Sequence, residues 1–146
     1  MQESAKITVV GLGPGRVEYL SVGALGALKR ANAVLARTRH HPTIEALEEQ
    51  GIEFETLDRI YERGDSLDEV YRRLAQEVLE RARQRPGELV YAVPGNPLVA
   101  ERSVFYLLEE AKAAGLELEV VPSISCIEAC VSSLGVDPLA GLQIVD

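Results

Sequence analysis

Apolar runs rich in β-branched residues alternate with stretches of helical period along this whole chain, and that alternation restricts the fold more than any other feature. "AKITVVGLG" stops at glycine, as a buried parallel strand does when it meets a turn. A helix follows from about Ser21, whose hydroxyl can cap it, with Leu25 and Leu28 on its apolar face. "NAVLAR" reads as a short second strand. "HPTIEALEEQG" reads as a helix with Thr43 near its start and Gly51 just past its end, and "IEFETL" as a strand with one exposed face. The clearest helix runs from Ser66 to about Arg85, because Leu67, Val70, Tyr71, Leu74, Val78 and Leu79 recur at helical spacing. Ser66 and Glu69 form a capping box at its start, and Pro86-Gly87 ends it.

"ELVYAV" is the next buried strand, "LVAERSVFYLLEEAKAAG" a helix closed by Gly115, and "LELEVV" an alternating strand. "SISCIEACVSSLG" is a helix with a second capping box, Ser125 to Glu128. Such an order predicts a three-layer α/β fold: a five-stranded, mostly parallel sheet with right-handed crossovers and helices on both faces. The closing "GLQIVD" begins what reads as a further strand with nothing to pair with it. That ending fits a domain over residues 1–141 and, in residues 142–146, the start of an absent second domain.

With 146 residues, 47% of them hydrophobic, the chain can bury one core. No apolar run approaches the roughly 20 residues that span a bilayer, and "MQESAK" lacks the basic-then-apolar order of a signal peptide, so a cytoplasmic location is expected. Cys126 and Cys130 lie four apart on one helix. Two residues cannot make a four-ligand zinc site and the spacing is not Cys-x-x-Cys, so the expectation is two buried small packers and no metal. The net charge of -8 is uneven: residues 1–40 carry six Lys/Arg against two acids, and the rest nine against twenty-one. That acidic majority argues against a broad phosphate-binding face and so against nucleic acid as partner.

In an open parallel sheet ligands bind at the carboxyl ends of the strands. Those ends carry "GLGPG", "PGNP" and "PSIS", loops of small and proline residues that let a ligand approach the main chain. A dinucleotide fingerprint is not met, because the spacing is G-x-G-x-G, Pro14 removes an amide donor, and Arg16 to Leu20 intervene before the helix. The second strand ends at Arg37 where that fingerprint needs an acid, and no Gly-Lys-Ser/Thr follows to make a phosphate loop. A ligand without phosphates and with a positive centre that favours carbonyl oxygens, such as S-adenosylmethionine, fits such a loop better.

In order and separation, "VVGLGPG", "YLSVGALGALKRANAV", "VYAVPGNPLVAE" and "VVPSISCIEACVSSLGVDP" resemble the tetrapyrrole methylase superfamily, the corrin and porphyrin methyltransferases and their relatives. "RTRHHP", "VPGNPLVAE" and "GVDPLAGLQIVD" resemble the branch fused to a MazG-type nucleoside triphosphate pyrophosphohydrolase. The resemblance implies a two-domain, homodimeric methyltransferase that binds S-adenosylmethionine between its domains, with the first and fourth strands adjacent. It implies cofactor contacts at Gly13, Pro14 and Gly15 in the first loop, at Gly95, Asn96 and Val99 in and after the second, and at Ser125 and Cys126 in the third. Two positions depart from the family pattern. Its Gly-Asp-Pro is Gly95-Asn96-Pro97, and its Pro-Gly is Pro122-Ser123, where Ser123 would be strained if the position needs a positive φ.

The chemistry expected is in-line displacement, with a small-molecule acceptor attacking the methyl carbon opposite sulfur and the protein supplying orientation and desolvation. No general base is assigned. His40 and His41 adjoin Pro42 at a helix entry, where capping or surface roles are expected of them, and Glu101 reads as a helix-start acid favoured by the dipole. A second reading is a catalytically silent dimerising or regulatory module attached to a pyrophosphohydrolase. A pyrophosphohydrolase within this chain itself is discounted, because neither Glu48-Glu49 nor Glu109-Glu110 continues into a Glu-Glu-x-x-Glu magnesium cluster.

Overall fold

The computed structural model describes residues 5–63 and 66–145; Asp146 and most of the N-terminal segment weighed above lie outside them. Five strands, β1 (Lys6–Gly11), β2 (Ala33–Ala36), β3 (Glu55–Thr56), β4 (Glu88–Val93) and β5 (Glu117–Val121), form one sheet in the order β3-β2-β4-β1-β5. Every ladder is parallel. β1 and β4 are neighbours from Lys6↔Glu88 to Gly11↔Val93, as the resemblance implied. Four helices connect the strands, α1 (Val22–Arg30), α2 (Pro42–Glu48), α3 (Leu67–Gln84) and α4 (Arg102–Ala113), and α5 (Cys126–Leu134) follows β5.

Side chains alternate across the sheet, so each strand feeds two cores. Ile7, Val9, Leu35, Leu89, Tyr91 and Val93 pack beneath α3 and α4 with Val70, Leu74, Val78 and Leu107. Val10, Val34, Val90 and Ala92 face α1 and α2 through Ala24, Leu28, Ile44 and Leu47. The result is the expected three layers. A fully buried Leu or Val contributes about 1.5–3 kcal/mol, which is why these positions and not helix propensity hold the layers together. Both capping boxes form, at Ser66–Glu69 and Ser125–Glu128. Among the described residues no helix is long and apolar enough to cross a membrane.

Four local expectations are corrected. "IEFETL" gives only the two-residue β3, because it lies at the sheet edge beside a four-residue partner. α4 begins at Arg102 rather than near Leu98, since the chain turns after Pro97 and Ala100 takes a left-handed φ of 54° that interrupts a helix. Residues 141–145 form no strand, and Leu142, Ile144 and Val145 are exposed. Cys126 and Cys130 are exposed rather than buried, because α5 buries none of its residues.

Candidate functional site

Gly11 ends β1 at the point where three loops meet. A Cβ there would lie 2.2 Å from the Gly95 carbonyl oxygen, 2.6 Å from Ser123 Cβ and 3.0 Å from Pro97 Cδ, so only glycine lets "GLGPG", "PGNP" and "PSIS" close up. Beyond it Gly13 and Gly95 form an antiparallel bridge, each amide donating to the other's carbonyl at 3.2 and 2.8 Å. Both adopt left-handed backbone, with φ of 75° and 65°. The third loop is tied to the second by Asn96, whose Nδ2 donates to the Ser123 carbonyl at 2.6 Å while its Oδ1 accepts from Leu98 N at 2.9 Å. An ionised aspartate has no hydrogen to give that carbonyl, so the contact needs the amide at position 96, whereas position 123 contributes only main chain. Ser123 carries no backbone strain, because Ala100 is the sole non-glycine residue with positive φ among those described. Its Oγ is buried without a hydrogen-bond partner.

The first loop is also held from the side of α2. Thr43, fully buried, donates its hydroxyl hydrogen toward the carbonyls of Gly15 at 3.0 Å and Leu12 at 3.3 Å. His41 is the N-cap of α2: its Nδ1 accepts from Thr43 N at 3.3 Å, and its Nε2 donates to the Gly13 carbonyl at 3.0 Å. Those two bonds require the neutral ring with its proton on Nε2. Burial, aided by the Arg37 charge, holds the imidazole below its ordinary pKa against the opposing pull of the Gly13 carbonyl. The capping reading of His41 thus holds, and His40 is exposed.

Pro14 is half-buried between Gly13 and Gly15. Val99 is half-buried too, with its amide donating to the Asn96 carbonyl at 3.1 Å. The Ser125 hydroxyl accepts from Ile127 N and donates to Glu128, so it is committed to its helix cap, and Cys126 follows as the first residue of α5. Positions Gly15 and Gly95 face open space, with no atom within 4 Å of an added Cβ. The loops therefore present open main chain and carry no charged side chain of their own.

Glu101 departs from its expected role. It precedes α4 but makes no cap bond; its carboxylate is buried, pairs with Arg37 Nη1 at 2.7 Å, and accepts from Ser103 Oγ at 2.6 Å. The Ser103 oxygen in turn accepts from the Tyr91 hydroxyl at 2.9 Å. Burial raises the Glu101 pKa although Arg37 opposes it, and burial also pushes the nearby Tyr61 phenol up to about 12. The left-handed turn at Ala100 delivers this carboxylate inward. A cleft of about 600 Å³ adjoins it, lined by Tyr71, Phe105, Tyr106, Ile144 and Val145 among others. Sequence reasoning missed this network because its members are far apart in the chain; for His41, the "HPT" helix entry was a usable signal.

The family model for tetrapyrrole (corrin/porphyrin) methylases matches residues 6–145. YabN, an uncharacterised protein of Bacillus subtilis (strain 168), is 38% identical over 143 residues, which cover 98% of this chain and 29% of YabN. The cobalt-factor III methyltransferase of Priestia megaterium is 29% identical over 134 residues, 89% of this chain and 23% of that enzyme. Among solved structures, uroporphyrin-III C-methyltransferase from Thermus thermophilus superposes with a TM-score of 0.68 at 26% identity, over 91% of this chain and 53% of that one. The same enzyme is known complexed with S-adenosyl homocysteine (TM-score 0.61, 28% identity, 86% and 47% covered). The chain thus spans under a third of these curated relatives and about half of the solved enzyme.

Proposed function

Because this chain belongs to the tetrapyrrole (corrin/porphyrin) methylase family, we propose that it forms the cofactor-binding half of an S-adenosylmethionine-dependent methyltransferase acting on a small-molecule acceptor. The observation that carries this reading is the joining of the three loops into one uncharged floor by the Gly13–Gly95 bridge and the Asn96–Ser123 bond. Gly13, Pro14, Gly15, Gly95, Asn96, Val99, Ser125 and Cys126 would surround the cofactor, mostly through main chain. When bound, S-adenosylmethionine supplies an electrophilic methyl group. The protein's part is to orient it and exclude water, through main chain and a serine committed to its helix cap.

The other half of the pocket is proposed to come from a second domain. The exposed side chains of Leu134, Val136, Leu139, Leu142, Ile144 and Val145 and the unburied α5 support this, as does the fraction of the relatives that this chain spans. A homodimeric parent that also carries a MazG-type pyrophosphohydrolase accords with the sequence details noted above. Calorimetric titration of the full-length protein with S-adenosylhomocysteine tests the reading, with binding expected. The 146 residues alone are expected to bind weakly. Micromolar or tighter binding to them would overturn the divided pocket.

The second reading, a silent module that regulates an attached pyrophosphohydrolase, draws on Asn96, whose amide and carbonyl both have partners inside the protein. Transfer of label from methyl-labelled S-adenosylmethionine to any component of a cell extract by the full-length protein would exclude it.

A further inference from the structure

We infer that His41 and Thr43 are positioning residues that strap the "GLGPG" loop to α2 in its ligand-ready shape, and that protonation of His41 releases the strap. This rests on the proposed cofactor site. Three carbonyls of the loop, those of Leu12, Gly13 and Gly15, accept from these two side chains. Gly13 also carries the bridge to Gly95, so whatever moves its carbonyl moves the contact between the first and second loops. The imidazole works through both nitrogens at once, accepting at Nδ1 and donating at Nε2. A doubly protonated ring would oppose its Nδ1 hydrogen to the Thr43 amide hydrogen, losing the cap and turning the ring off Gly13.

The charged or titratable groups on the segments next to His41 are Arg37, Arg39 and His40 just before it, Glu45 within α2, and Arg16, Glu18 and Tyr19 at and in the 3₁₀ turn packed against α2. Arg16 and Glu18 pair with each other at 3.1 Å. Arg37 is the one whose charge reaches the imidazole, and it favours the neutral form, in the same sense as burial. Glu18 is engaged with Arg16, and the ring's own hydrogen bonds go to Gly13 and Thr43 rather than to Glu45, so the strap is intact at neutral pH and opens in acid.

The test is calorimetric titration of the full-length protein with S-adenosylhomocysteine between pH 5.5 and 7.5, for wild type and three variants, each checked by thermal melting. His41→Asn keeps an N-cap acceptor but cannot reach Gly13, and should weaken binding about fivefold at pH 7.5 with little change in melting temperature. His41→Gln, whose amide can donate to Gly13 and does not titrate, should restore most of the affinity and flatten the pH dependence. His40→Gln, at the exposed neighbour and the only other histidine, should leave the profile as in wild type. Wild-type affinity should fall with pH. Wild-type binding with His41→Asn unchanged, or with His41→Gln keeping the wild-type pH profile, would overturn the strap alone. Absence of wild-type binding at every pH would overturn the cofactor reading and the strap with it.

Discussion

Two residues show how tightly the site constrains its sequence. Gly11 has a backbone oxygen 2.2 Å from where a Cβ would stand, and a carbonyl cannot yield as a flexible side chain does. Gly11→Ala should therefore destabilise the fold by about 3 kcal/mol in urea titration and part the first loop from the other two. Arg37 is the counter-charge of Glu101, with side chains 20% and 3% exposed. Arg37→Met would leave a buried carboxylate alone and should cost about 2 kcal/mol at pH 7.5, reduced from the fully buried case because Arg37 keeps some solvent. The folded-state pKa of Glu101 lies above its ordinary value, so the folded protein binds that proton more tightly than the unfolded chain does. Its ionisation removes stability as pH rises through that window, and losing Arg37 extends the window upward. The variant's deficit should accordingly shrink at pH 5. Of these features Gly11 was legible as a turn glycine. The Glu101 network was not, because a helix-start acid looks the same whether its side chain reaches solvent or a buried guanidinium.

At the scale of elements, caps and periods were legible and edges were not. The serine–glutamate spacing found both capping boxes because those bonds are local. Their removal should differ in consequence. Ser66→Ala should lower global stability by about 1 kcal/mol, since α3 buries six residues in the core. Ser125→Ala should instead fray α5, with faster hydrogen exchange there and little change in the urea midpoint, because α5 buries none. The same absence explains why Cys126 and Cys130 were misjudged: an apolar helix in sequence is buried only if something covers it. The late start of α4 has its own test. Ala100→Gly relieves a left-handed alanine that costs about 1 kcal/mol, offset in part by unfolded-chain entropy, and should raise stability by about 0.5 kcal/mol.

For the molecule as a whole, alternation of strand and helix specified the layers because each strand had to bury both faces. Which loops would meet came instead from the resemblance, which put β1 beside β4 and so "GLGPG" beside "PGNP". The tail defeated the alternation, since a strand pattern without a partner leaves only exposed apolar residues. Two hydrogen-bonded carboxylates, Asp58 and Glu88, bear on the acid limit of the fold. Burial raises Asp58 and Glu88, but hydrogen bonds from Thr38 and the Arg39 amide to the first, and from Thr8 and Arg30 to the second, outweigh it and hold both pKa values below ordinary. Their contribution is present above the ordinary carboxylate range and is lost as pH falls through the lowered values. The urea midpoint should hold from pH 7 to about 5 and decline below about 4.5.

The central place of β1 has a consequence in time. Lys6 finds its partners at Glu88 and Glu117, so β1, which precedes the other four strands of this sheet, waits for β4 and β5 before its edges are paired. Loop closure of that length is slow, and the intervening helices can form but have no complete sheet to cover. "GLGPG" is therefore made before the two loops that it meets. Of those two, "PGNP" is made first, so the Gly13–Gly95 bridge can close before the Asn96–Ser123 bond ties in the third loop.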